Sequence, residues 1–148
     1  MKNGIYYAPT QSAIASEIGT TDNGSDLQPI LDYLNDNLEC TYASIWWWAD
    51  QDNYDTMVRE SLVDTNPVVL YAIIPSSISG RSCTSDRSHW LFATDGHYLN
   101  ISGYTFTGTS NKYYQVTDPY ADRYTGYSSG KYNVNNTVVK AGTEAIGC

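Results

Sequence analysis

The stretch "DGHYLNISGYTFTGTSNKYYQVTDPY", residues 95–120, constrains this chain more than any other. It reads as two alternating runs joined by a Gly/Thr/Ser-rich turn, the pattern of a β-hairpin. With the turn centred near Thr107 and Gly108, a symmetric pairing sets His97 opposite Asp118. Directly opposed positions in an antiparallel pair hold their Cβ atoms roughly 4.5–5.5 Å apart, close enough for an imidazole–carboxylate hydrogen bond. Alternation places Leu99 and Ile101 on the face of His97, and Tyr114 and Val116 on that of Asp118. The shared face is then apolar except at its open end. A slip of one residue would send Asp118 to the other side of the sheet. On spacing alone two readings stand: a structural His–Asp pair at a sheet edge, or a catalytic imidazole oriented by a carboxylate.

The rest of the chain sorts into short elements. In "YAPTQSAIASEIGTT", Pro9 and Thr10 signal a helix start, Ile14 and Ile18 sit four apart, and Gly19 is the stop. After the turn "TTDNGSD", with Ser25 or Asp26 as cap, Leu27, Ile30, Leu31, Leu34 and Leu38 follow helical spacing, leaving Asp32, Asn35, Asp36 and Asn37 outward. "TYASIWWW" reads as a strand. "NYDTMVRESLV" is an amphipathic helix capped by Asp52 or Asn53 that buries Tyr54, Met57, Val58 and Leu62 and stops at Asn66-Pro67. "VVLYAII" has the continuous apolar character of a buried strand. "PSSISGRSCTSDRS" is a loop, "HWLFAT" a short strand, "YADRYTGYSSG" a second loop, and "NNTVVKAGTEA" a short helix. Helices first and a mainly antiparallel sheet afterwards give an α+β fold, and with no linker or repeat residues 1–148 read as a single domain.

Charge narrows the partners. Eight Lys+Arg against sixteen Asp+Glu leave a net charge of −8, with no basic cluster to neutralise phosphates, so a nucleic-acid partner is not expected. The longest apolar run, "VVLYAII", falls far below the ~20 residues of a membrane-crossing helix. "MKNGIYYAPT" lacks the pattern of a signal peptide. Few lysines, fourteen tyrosines and abundant Asn, Ser and Thr nonetheless suggest a bacterial secreted or cell-surface protein.

The three cysteines leave two possibilities open: a Cys40–Cys83 bridge, worth about 4 kcal/mol in the chain-entropy model, or three free thiols, with Cys148 at the exposed terminus. Cys83, Asp86 and His89 fall at intervals of three, but a fourth ligand is lacking, and no metal or cofactor is expected. "IWWWAD" admits a sugar-stacking surface at Trp47, against the commoner fate of aromatic strands as core.

"GHYLNISGY", a polar turn, then "YYQVTDPY" resembles the His and Asp segments of papain-like bacterial cysteine peptidases, in the branch of the double-glycine-leader (bacteriocin-processing) peptidases and their secreted relatives. "APTQSAIASEIGTTDNGSDLQPILDYLN" is similar to the segment that follows the family's nucleophile helix, and "KYNVNNTVVKAGTEAIG" to its C-terminal strand–helix–strand. The likeness spans nearly the whole chain. It implies a papain-like α+β fold and amide hydrolysis of a peptide or protein substrate, with His97 as base and then acid and Asp118 as the residue that orients it.

The family's nucleophile is what this sequence departs from. In the family a cysteine opens an N-terminal helix just after an oxyanion-hole glutamine; here there is no Cys-Gly/Ala-Pro motif, and Gln11 precedes no cysteine. Cys40 enters a strand, Cys83 sits in a loop and Cys148 ends the chain; none opens a helix, where the dipole would favour a thiolate. The expectation is an acid–base pair without a nucleophile and a domain incomplete at its N-terminus. Three origins fit: a shortened chain, a nucleophile helix supplied by a second chain, or a degenerate domain that binds without cutting. A carbohydrate-binding secreted protein is the further alternative.

Overall fold

The structure, a computed structural model, describes residues 9–37, 44–46, 50–66, 68–80, 87–109, 111–119 and 130–147. The chain divides into two compact units, 1–42 and 43–148. Among its described residues the first holds two helices. α1, Gln11–Glu17, is capped by Thr10, whose hydroxyl accepts from the Ala13 N–H. α2, Leu27–Asn37, turns Leu31 inward and leaves Asp32, Asp36 and Asn37 exposed, as the spacing predicts. Leu38 lies outside the described residues.

Among its described residues the second unit is a six-stranded antiparallel sheet with two α-helices and a short 3-10 turn at Ser76–Ile78. Its elements are β1 (Ser44–Trp46), α3 (Gln51–Val63), β2 (Val68–Ile74), β3 (Thr94–Thr107), β4 (Asn111–Thr117), β5 (Lys131–Asn135), α4 (Asn136–Ala141) and β6 (Thr143–Gly147), and the strand order is β1-β6-β2-β3-β4-β5. The α+β class read from the sequence is therefore present, and so is the strand–helix–strand at the C-terminal end.

α3 begins two or three residues earlier than expected. The cap is Asp50 and not Asp52 or Asn53: its backbone is extended, and its carboxylate accepts from the Asn53 N–H at 2.8 Å, whereas both expected residues already lie inside the first turn. At the other end Thr65 adopts the left-handed conformation, with φ 66°, its N–H donates to Leu62 O, and the Asn66 N–H reaches back to Ser61 O. This is the Schellman arrangement, usually built on glycine. Pro67, expected to help stop the helix, lies outside the described residues.

One sheet face carries the core. Val68, Leu70, Ala72 and Ile74 of β2 point into it with Leu99, Ile101, Tyr114, Val116, Tyr132, Val134 and Ile146. Tyr54 and Val58 of α3 and Val139 of α4 cover them. Each such buried aliphatic side chain contributes roughly 1.5–3 kcal/mol. β2 does not bury both faces, as a continuous apolar run had implied: Val69 and Tyr71 are half-buried and Ile73 is exposed, because the α3 and α4 residues of the core pack on the opposite side. Met57, also expected inside, is exposed; Val58 takes the buried position and Leu62 is half-buried.

"HWLFAT" is not a strand. Residues 88–92 bend, and β3 starts only at Thr94. Trp90 drives the difference: its N–H donates to Ile78 O at 2.7 Å and its indole N–H to Val138 O at 3.1 Å, so the ring sinks into the core instead of alternating along a ladder. Gly142 makes room, since a Cβ there would stand 2.8 Å from the indole nitrogen.

Candidate functional site

β3 is long enough to serve two neighbours. From Thr94 to Ile101 it pairs with β2, placing His97 across from Ala72; from Asn100 to Thr107 it pairs with β4. The hairpin turn is not where the sequence put it. Thr107 pairs with Asn111, so the turn centres on Thr109. Beyond it the ladder carries a bulge between Ile101 and Gly103, with Ser102 as the extra residue, and then resumes with Ile101 opposite Val116 and Asn100 opposite Thr117. Continued by one step, this register sets Asp118 against Leu99, not against His97. The two therefore meet diagonally, two residues apart in register and on one face.

They do meet. His97 Nε2 and Asp118 Oδ1 are 3.0 Å apart. The Asp118 side chain is fully buried and that of His97 is 11% exposed, so the imidazole lies between the core and solvent. A buried carboxylate must be compensated by donors. Besides the imidazole, the Tyr132 hydroxyl on β5 donates to Oδ2 at 3.4 Å. The Asp118 backbone is held as well, its N–H donating to Gly130 O at 2.7 Å. The Phe92 ring packs against the imidazole in an edge-to-face arrangement, with centroids 5.4 Å apart and planes at 75°.

With a carboxylate on Nε2, that nitrogen carries the proton and Nδ1 presents the lone pair. Such an imidazole can take a proton at Nδ1 while Asp118 stabilises the resulting cation across Nε2. The sequence located His97 and Asp118. It missed Tyr132 and Phe92; the signal for Tyr132 was its place in the alternating run "KYNVN", on the face of Val134.

Of the other sequence candidates, His89 and Gln11 lie among the described residues. His89 shares a hydrogen bond with Ser88, Nδ1 to Oγ at 2.9 Å. Gln11 opens α1 in the first unit. Cys40, Cys83, Cys148, Asp86 and Trp47 lie outside the described residues. Among the described residues no group of three His, Cys, Asp or Glu side chains is placed to hold a metal ion, and no helix is long and apolar enough to cross a membrane.

A second polar cluster went unread. Asp55, in α3, is buried and accepts from Tyr114 Oη at 2.6 Å, Asn136 Nδ2 at 2.6 Å and Gln51 Nε2 at 2.9 Å. Burial, and then the hydrogen bond to Asp55, push the Tyr114 phenol far above its ordinary range. This cluster joins α3, β4 and α4 from within. An open cleft along α3, lined by Thr56, Arg59, Glu60, Val63 and Asp64, includes neither His97 nor Asp118.

Comparison with protein-family models, with curated proteins and with solved structures finds no match to this chain.

Proposed function

We propose that the chain, in a secreted or cell-surface protein, carries the acid–base half of a papain-like cysteine peptidase, a class that hydrolyses peptide or other amide bonds. The observation that supports this most is the 3.0 Å contact between His97 Nε2 and a fully buried Asp118 carboxylate, with the imidazole itself at the boundary of the core. His97 accepts the thiol proton at Nδ1 and returns it to the leaving amine; Asp118 holds the ring and compensates its charge. The α+β architecture, with its antiparallel sheet and C-terminal strand–helix–strand, is compatible with that fold.

The thiol is not assigned to Cys40, Cys83 or Cys148. The family's reaction needs a thiol at a helix N-terminus, in a Gln…Cys-Gly/Ala-Pro context, and these 148 residues carry no such motif. The absence of that motif also favours a second reading, a non-catalytic binding module of the same fold. Reading the DNA upstream of the Met1 codon separates the two. Expected is an in-frame segment with the motif, whose longer product is labelled by a thiol-directed peptide probe. His97→Ala should then lower turnover by about 10²-fold or more. An upstream region without a cysteine, together with an unlabelled protein, would overturn the peptidase reading and support the binding module.

A further inference from the structure

Tyr132 stands where the sheet brings β5 back alongside β4. It pairs with Val116, and its side chain shares the buried face of Val116 and Val134. Two features hold it against the site. Gly130, with φ 67°, accepts the Asp118 N–H through its carbonyl at 2.7 Å, which fixes the entry to β5 beside the exit from β4. From there the Tyr132 hydroxyl donates to Oδ2 of Asp118, the carboxylate oxygen that His97 does not use. The carboxylate is thus held at both ends, by a phenol on one oxygen and an imidazole on the other.

The geometry points to Tyr132 as a positioning residue: its hydroxyl fixes the rotation of the Asp118 carboxyl group and through it the orientation of the His97 imidazole. The inference rests on the acid–base reading of that histidine for its meaning in catalysis. A carboxylate has two equivalent oxygens, so a donor on one of them sets rotation without choosing between them. An amide in the same place has only one oxygen and must choose.

That difference supplies the test. In Asp118→Asn the Tyr132 hydroxyl draws the amide oxygen to the Oδ2 position, leaving the amide NH2 facing Nε2. Nε2 must then accept, and the ring proton moves to Nδ1. In Asp118→Asn/Tyr132→Phe the amide turns its oxygen to His97 and the Nε2–H form returns. Nitrogen-15 NMR of the neutral imidazole in the full chain distinguishes the two tautomers. Expected are Nε2–H in the wild type, Nδ1–H in the single variant and Nε2–H again in the double. The same tautomer in both variants overturns the proposal.

Should either amide variant fail to fold, Tyr132→Phe alone carries the test. Exchange of the His97 Nε2 proton with water should accelerate about three- to tenfold, the loss of one ordinary hydrogen bond; an unchanged rate overturns the proposal. Neither readout needs a thiol or a substrate. A chain that cleaves nothing can still give the tautomer pattern. A peptidase whose His97 ignores Tyr132 would sink this inference alone.

Discussion

The Tyr114 hydroxyl donates to Oδ1 of Asp55 at 2.6 Å, so the strand that leads to Asp118 is tied to helix α3 through the middle of the core. Asn136 brings α4 to the same carboxylate. Apolar packing fixes which face of each element is inside but tolerates sliding along it. A buried carboxylate with donors from three elements does not, because a shift of one turn or one residue leaves a polar group unpaired.

Tyr114→Phe should therefore cost about 1–3 kcal/mol at neutral pH, read from urea unfolding. Its pH dependence follows from the raised phenol. A group that holds its proton more tightly when folded stabilises the fold fully below the unfolded-state value of 10.0, and this stabilisation is lost as pH rises above it. The wild-type chain should thus lose stability more steeply than the variant above pH 10.0, by up to about 1.4 kcal/mol per pH unit. Parallel profiles for the two chains would show that the phenol is not held as described.

Gly130→Ala tests the junction that places Asp118. The residue is left-handed, with φ 67°, and an added Cβ would lie 3.0 Å from the Asp118 carbonyl oxygen, which is backbone and cannot swing away. The substitution should destabilise by about 1–2 kcal/mol. Strain at this point also moves Asp118, so the His97 imidazole should lose its Nε2–H signature in NMR. A destabilised variant with an unchanged imidazole would mean that the strain is absorbed within β5.

Thr65→Gly runs the other way. A β-branched residue holds the left-handed position that ends α3, at φ 66°, and its side chain is exposed. Glycine removes the steric cost at that angle while losing no burial, though it gains entropy in the unfolded chain. The net expectation is a gain of roughly 0.5–1 kcal/mol. Thermal unfolding decides it; a lower melting temperature would show that the Thr65 side chain supports the cap.

The sequence made the helices and the His–Asp face legible because both rest on periodicity. Ile14 and Ile18, the leucines of α2, and Tyr54 with Val58 mark helical stripes, and Leu99, Ile101, Tyr114 and Val116 mark sheet alternation. What periodicity cannot carry is a polar group in an apolar slot. Asp55 lies three residues before Val58 and seven before Leu62, squarely on the inner stripe, yet a charged residue there reads as solvated until its donors from β4 and α4 are in place. Trp90 was hidden for a related reason: a long-range indole bond to Val138 overrides the local strand pattern. The juxtaposition of His97 and Asp118 was reached through a register two residues in error, and an error of two preserves the face.

Deletion of Ser102 follows from that parity. On the turn side of the bulge Tyr104 faces Tyr114 on the core side; beyond it Ile101 faces Val116. Ser102 is the surplus residue that lets odd-numbered positions, His97 among them, turn inward before the bulge and even-numbered ones after it. Were the turn-side register to continue without the bulge, Asp118 would stand opposite Asn100 and His97 would point out of the core. Removing Ser102 itself joins the two inward sets into one regular ladder and leaves His97 and Asp118 on the same face. The losses are the Ser102 hydroxyl contacts to Thr117 and Gln115 and the local twist of the bulge, together worth about 1–2 kcal/mol. Removing Asn100 instead inverts Leu99 and His97 relative to the core and should abolish cooperative folding. The deletion without Ser102 should fold, keep the His97 Nε2–H resonance and melt only slightly earlier. If it loses that resonance while remaining folded, the bulge does more than correct parity.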